Sequence, residues 1–159
     1  MKIITAILWT ALAGSASPVQ AQTAAPDAFE QNQRLGRGVN IIGYDPIWRS
    51  REQAHFQAKH FRLLKEAGFN SVRINLHPFR FMDATNQWAL APSWLAVLDW
   101  ALAHAHQQGL KAILDLHEYE AMGTAPERNK EKFLAFWRQL SAHCAGEPPD
   151  QALRWAGEP

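Results

Sequence analysis

The chain has little of what would announce its chemistry at once. It holds a single cysteine, Cys144, so no intramolecular disulfide can staple the fold and no cysteine pair can hold a metal. Its formal net charge is only +1 over 159 residues, which excludes bulk electrostatic attraction to nucleic acid or an anionic membrane. No Gly-rich phosphate loop follows the first strand pattern, because Gly38 and Gly43 do not make the dinucleotide fingerprint. What is plentiful is apolar: 47% of the residues are hydrophobic and seven are tryptophan, as a packed core requires and a disordered chain does not.

The N-terminus reads as an address rather than as part of the fold. Lys2 precedes a mostly apolar run from Ile3 to Ala13, and small residues lead to Val19-Gln-Ala21, a cleavage motif that places a mature start near Gln22. A membrane anchor is the alternative, but the run is shorter than the roughly 20 residues that span a bilayer. Residues 1–21 are therefore expected to be a signal peptide, the product secreted or periplasmic, with no membrane attachment after cleavage. Residues 22–34 read as a polar, flexible lead-in.

From residue 35 the pattern alternates. Arg37 to Gly43 reads as a strand, followed by a loop with Tyr44, Asp45 and Trp48. A helix is expected from Arg51, with Ala54, Ala58, Phe61 and Leu64 on its apolar side and Gly68 past its end. Ser71 to Asn75 is a second strand; a loop then leads to a helix from Pro92 to about Gly109. Ala112 to Leu116 is a short apolar strand of the kind buried in a parallel sheet, and it runs straight into His117, Glu118, Tyr119 and Glu120. After a Gly123-Thr-Ala-Pro126 loop, a third helix carries Phe133, Phe136, Trp137, Leu140 and Cys144. Residues 152–155 are too short and polar to make a convincing buried strand. The order β-α-β-α-β-α predicts an α/β fold with a parallel sheet, either doubly wound or part of a (β/α)₈ barrel. The missing phosphate loop favours the barrel.

Chemistry-bearing side chains gather at strand ends, where α/β folds place their sites. Arg73 lies in an apolar strand and needs a carboxylate partner, either for function or as a structural ion pair with Asp115. His117 is a strand-end imidazole, either a site residue or a satisfied core histidine. A metal centre from Asp115, His117, Glu118 and Glu120 is disfavoured because strand alternation turns residue 118 away from 115 and 117. The one His-x-His pair, His104 and His106, is expected on the exposed side of a helix. Trp94, Trp100 and Trp137 fall in helical patterns and read as core, whereas Trp48 and Trp88 lie in loops where a flat ring would suit a sugar face, or would cover a core edge.

Four blocks carry a family resemblance: Gly38-Val-Asn40, Leu64 to Ile74 with its Ala-Gly-Phe-Asn-Ser-Val-Arg-Ile core, Ile113 to Glu120, and Phe133 to Leu140. Together they resemble glycoside hydrolase family 5, the cellulase family, over about Leu35 to Cys144. The resemblance implies a (β/α)₈ TIM barrel that cleaves β-1,4-linked glucan with retention, without a cofactor or metal, acting on a β-linked polysaccharide or oligosaccharide. A β-mannanase or other β-glycanase, or a non-catalytic carbohydrate-binding remnant, would share the same motifs. It further implies that Arg73 supports the nucleophile and that His117 and Tyr119 line the subsite at the cleavage point. Asn40 and Trp48, within and after the first strand, are expected as further substrate contacts from their position. Glu118 stands where the family has a second histidine. Retaining hydrolysis takes two carboxyl groups about 5–5.5 Å apart. Glu158, in Gly157-Glu158-Pro159, matches the acid/base glutamate of the family's Asn-Glu-Pro triplet, with Gly157 in place of the Asn. The nucleophile belongs to a seventh strand with no match here, so residues 35–159 are expected to be the N-terminal part of such a barrel, its first three to four β/α units.

Overall fold

The computed structural model of the protein describes residues 27–146 and 152–154. In order the chain forms α1 (Ala28–Leu35), β1 (Gly38–Ile41), α2 (Ala58–Glu66), β2 (Ser71–Leu76), β3 (Met82–Asp83), β4 (Ala89–Leu90), α3 (Pro92–Gln107), β5 (Lys111–Leu116), α4 (Tyr119–Thr124), α5 (Pro126–His143) and β6 (Ala152–Arg154). The main sheet has the order β1-β2-β5-β6, and every pair in it is parallel. Among the described residues these four strands form an open α/β sheet rather than a closed barrel, in keeping with the incomplete barrel expected. No helix among them is long and apolar enough to cross a membrane.

Strand alternation divides the sheet into two unlike faces. Val72, Ile74 and Leu76 of β2 are fully buried, as are Ala112 and Leu114 of β5. They join one hydrophobic cluster with Phe61 of α2, Trp94, Leu98 and Leu102 of α3, and Phe136 and Leu140 of α5. The spacing of three and four along each helix is what brings those side chains to one side. Cys144 continues the α5 row and is buried, as its spacing predicted. The residues between them on the strands, Arg73, Asn75 and Asp115, point to the opposite face.

Two junctions fix how each helix returns to the sheet. After α2, Gly68 adopts φ 83° and the Phe69 amide donates to Leu64 O at 3.1 Å. After α3, Gly109 adopts φ 62° and the Leu110 amide donates to Ala105 O at 2.9 Å. Both are the same left-handed helix stop, which needs glycine because a Cβ is disfavoured there. The repeated Gly-apolar-polar spelling in the sequence therefore corresponds to one repeated backbone device.

Several boundaries differ from the sequence expectation, each for a local reason. The helix expected from Arg51 is only a 3₁₀ turn, Arg51–Gln53, and α2 starts seven residues later than Arg51 with Gln57 and His60 closing a capping box. Asp45 holds the intervening chain extended, accepting the amides of Ile47 and His55 on Oδ1 and of Phe56 on Oδ2. The expected loop around Gly123 is mostly α4, and the Asn129 side chain secures the corner by donating to Ala121 O and Ala125 O. The expected loop after β2 contains the β3–β4 hairpin, turned through left-handed Gln87 and Trp88. The 22–34 lead-in ends in α1, capped by Asp27, although none of its residues is buried. Residues 152–154 do form a strand, their backbone pairing alongside Ala112 to Leu114 of β5. Residues 1–21, expected from the sequence to be a signal peptide, lie outside the described residues.

Candidate functional site

The polar face of the sheet carries a ladder that the strand register assembles. Asn40 on β1 sits opposite Arg73 on β2, and Asn75 on β2 sits opposite Asp115 on β5. One rung further, His77 and His117 leave their strands side by side, with ring centroids 5.5 Å apart and planes nearly perpendicular. The alternating pattern Arg73-x-Asn75-x-His77 beside Asp115-x-His117 therefore puts five functional groups on one surface.

Asp115 is the hub of that ladder. Its Oδ2 receives Arg73 Nη2 at 2.9 Å, Asn75 Nδ2 at 3.0 Å and His117 Nδ1 at 2.8 Å. An ionised carboxylate only accepts, so His117 Nδ1 must carry the hydrogen, and its Nε2 is left as the acceptor of the neutral ring. The Asn75 amide also lies 3.3 Å from His117 Nδ1, but with that nitrogen protonated its donation goes to Asp115. Arg73 completes its fork by donating to Asn40 Oδ1 at 3.4 Å. Of the two sequence readings of Arg73, the structure shows the ion pair with Asp115, and the pair is not sealed in the core.

Aromatic rings line the mouth. Tyr44 stacks on His77 at 4.3 Å and is 72% exposed, while Tyr119 packs edge-on to His117 and is 69% exposed. The chain reaches Tyr44 through a tight turn at the end of β1, in which the Gly43 amide donates to Ile41 O around Ile42. Ile42 has φ 69°, a conformation that a β-branched residue adopts only when its surroundings impose it. Together these groups border a cleft of about 420 Å³ that also includes Phe79, Glu118 and Lys132.

The cleft's electrostatics follow from partial burial. His77 is 6% exposed, and its Nε2 is buried with no hydrogen-bond partner among the described residues. Burial, followed by repulsion from His117 whenever that ring is protonated and from Arg80, lowers its pKa below the usual imidazole value, with Asp115 opposing. Lys132 is likewise lowered by burial, which the charge of Glu118 counters. Glu118 Oε1 accepts the Phe79 amide at 2.8 Å, tying the end of β5 to the loop after β2.

Of the site residues expected from sequence, Arg73, His117, Asn40 and Tyr119 come together in this region. Trp48 does not. It is 2% exposed, stacks on Trp94 at 5.0 Å, and donates its indole hydrogen to Gly43 O at 3.1 Å. A ring so enclosed has no face left for a ligand, and the reason is the 3₁₀ turn Pro46–Trp48, which folds the loop back onto the core. Glu158 lies outside the described residues. His104 is not on an open helix side either: it stacks on Phe61 and meets the edge of Trp100. Sequence reasoning missed His77, Tyr44 and Lys132. Only His77 had a usable signal, because it continues the two-residue period of Arg73 and Asn75.

Comparison with known proteins places this geometry. The family model "Cellulase (glycosyl hydrolase family 5)" matches residues 32–153. No curated protein matches the chain. Among solved structures, Thermotoga maritima Cel5A in complex with mannotriose shares 29% identity at a TM-score of 0.71, covering 80% of this chain and 42% of that one. The same enzyme in complex with cellobiose shares 29% identity at a TM-score of 0.70, with the same coverage. Cellulose synthase subunit Z of Clostridioides difficile shares 25% identity at a TM-score of 0.64, covering 74% of this chain and 39% of that one. The chain thus spans less than half the length of these relatives. With the family model matched from just before β1 into β6, and a polar strand-end ladder on the same parallel sheet, this chain belongs to the cellulase family, glycosyl hydrolase family 5.

Proposed function

We propose that residues 35–159 contribute one wall of a β-1,4-glucan-hydrolysing site, in which the Arg73–Asp115–His117 ladder and the flanking tyrosines hold a sugar chain. The observation that carries this reading is Asp115 Oδ2 receiving Arg73, Asn75 and His117 within 3.0 Å. That contact set fixes His117, which lines the aromatic-sided cleft, and holds Arg73 and Asn75 beside it. Tyr44 and Tyr119 offer the flat, amphipathic surface on which a sugar ring packs. Export through the N-terminal apolar run suits an enzyme whose polymeric substrate lies outside the cell.

In the retaining mechanism one carboxyl group protonates the leaving oxygen while a second attacks the sugar, and the first then activates water. Glu158 is proposed as the acid/base, from its place in Gly157-Glu158-Pro159. Arg73 supports the charge balance beside the reacting carboxylates, and His117 Nε2 accepts a sugar hydroxyl. The second carboxylate has no matching position in residues 1–159, so these residues alone should bind glucan chains without turning them over.

Calorimetric titration of the chain with cellotetraose, run beside an assay for reducing ends, tests both statements. Saturable binding with no release of reducing ends is expected. Absence of binding overturns the site, and hydrolysis that disappears in Glu158→Gln overturns the claim that a second carboxylate is required from elsewhere. A β-mannan reading has one specific support, the mannotriose bound by Thermotoga maritima Cel5A. Tighter binding of mannotetraose than of cellotetraose would favour it.

A further inference from the structure

Lys132, on the first half of α5, reaches into the cleft from a helix that the strand-end ladder does not involve. Its ammonium lies 4.8 Å from the Phe79 ring centroid and 4.9 Å from that of Trp88, so two aromatic faces hold it at once. Among the described residues it makes no ion pair and no hydrogen bond, which leaves three N–H donors without a protein acceptor. Glu118 is the nearby opposing charge, and one of its oxygens is already taken by the Phe79 amide. A cation clamped in place, partly dried and short of acceptors is preorganised for an acceptor brought by a ligand. An anionic ligand would meet repulsion from Glu118 and Glu120, which offset the charges of Arg80 and Lys132 around the same cleft. A neutral polyhydroxyl chain supplies acceptor oxygens without that repulsion.

We propose that Lys132 is a specificity-determining residue of this cleft, donating hydrogen bonds to the hydroxyl oxygens of a sugar unit beyond the one held at His117. The inference rests on the carbohydrate reading above and adds a second point of recognition to it. Phe79 and Trp88 serve as the clamp, and Glu118 serves as the tether that keeps the loop carrying Phe79 against the end of β5. Lys132 then reads the length of the glycan: a short oligosaccharide fills the space at His117, and only a longer one reaches the ammonium.

The test is calorimetric titration with cellobiose and with cellotetraose, for the wild-type chain, Lys132→Met and Lys132→Arg. Methionine keeps the apolar stem and removes the donors; arginine keeps charge and donors. Lys132→Met should weaken cellotetraose binding by about tenfold or more, leave cellobiose binding unchanged, and be partly rescued in Lys132→Arg. An equal loss for both sugars, or a fall in unfolding midpoint with no change in the ratio of affinities, assigns Lys132 a purely structural part and overturns the proposal. If Lys132→Met does not fold, amine acylation of the wild-type chain read by mass spectrometry decides instead. Cellotetraose should protect Lys132 and cellobiose should not, and equal labelling in both overturns the proposal. Failure of the wild type to bind either sugar removes the site itself, an outcome distinct from binding that ignores Lys132.

Discussion

Asp115 Oδ2 lies 2.8 Å from His117 Nδ1, and this one contact sets both the tilt of the imidazole and which nitrogen faces outward. Because the same oxygen also takes Arg73 and Asn75, a single carboxylate governs the posture of the whole ladder. Asp115→Asn should therefore do more than delete a charge. One amide oxygen remains for three donors, and an amide hydrogen is introduced among them. The expected result is a loss of stability of about 1–3 kcal/mol, measured by urea denaturation, with weaker cello-oligosaccharide binding in the same variant. Asn40→Ala, which touches only the outer end of the Arg73 fork at 3.4 Å, should lose much less.

Glu118 separates two jobs that a pair of substitutions can tell apart. Glu118→Gln keeps an acceptor for the Phe79 amide and removes the charge near Lys132, whereas Glu118→Ala removes both. Hydrogen exchange at the Phe79 amide should stay slow in the Gln variant and accelerate in the Ala variant. Equal exchange in the two would show that the carboxylate does not hold the loop.

His77 gives stability a defined pH dependence. Its pKa is lowered in the fold, chiefly by burial and then by His117 and Arg80. The unfolded chain consequently takes up a proton near the ordinary value of 6.5 while the folded one still refuses it. Stability contributed by neutral His77 is thus complete above that value and is lost as pH falls through the lower, folded one. Unfolding midpoints measured from pH 7.5 to 5 should fall more steeply for the wild type than for His77→Gln.

Trp48 and Tyr44 sit four residues apart on one loop and should behave oppositely. Trp48→Ala removes a ring packed against Trp94 and should cost about 3–5 kcal/mol of stability. Trp48→Phe, a milder cut, should leave oligosaccharide affinity unchanged. Tyr44→Ala should barely alter the unfolding midpoint, since the ring is 72% exposed, yet weaken sugar binding. A reversal of that pattern would return Trp48 to the ligand side.

Gly68→Ala isolates the backbone term. The nearest heavy atom to an added Cβ is Arg37 Nη1 at 3.5 Å, ordinary contact, so the loss arises from φ 83° alone. About 1–2 kcal/mol is expected, read from chemical denaturation. Gly109→Ala should match it, because φ 62° is reached in the same left-handed stop.

The strands β2 and β5 were legible because each is a short apolar run that follows a helix, a glycine and an apolar residue, and that spelling has one structural solution. The short β3–β4 hairpin and β6 carry no such signal. That Arg73 and His117 meet on the polar face of the sheet was legible for a related reason, since a polar group in or at the end of an apolar strand has few places to go. Trp48 was misread because a loop position implies exposure only if the loop stays out, and the Asp45 hub that turns this one inward is made of backbone amides that no side-chain pattern reveals. Lys132 was invisible for the same kind of reason. On α5 it looks like one of several solvated charges, and only the approach of Phe79 and Trp88 from separate segments makes it different.

The pairings that build the ladder join residues far apart in the chain: Asn40 meets Arg73 across 33 positions, and Asn75 meets Asp115 across 40. Such contacts close long loops before they return any stabilisation, so parallel sheets of this kind fold slowly compared with helices. The backbone bonds of α2 and α3, which lie inside those loops, are by contrast local in sequence. The ladder therefore carries a loop-closure cost that those helices do not. A ligand that bound only the finished ladder would favour the completed fold by mass action.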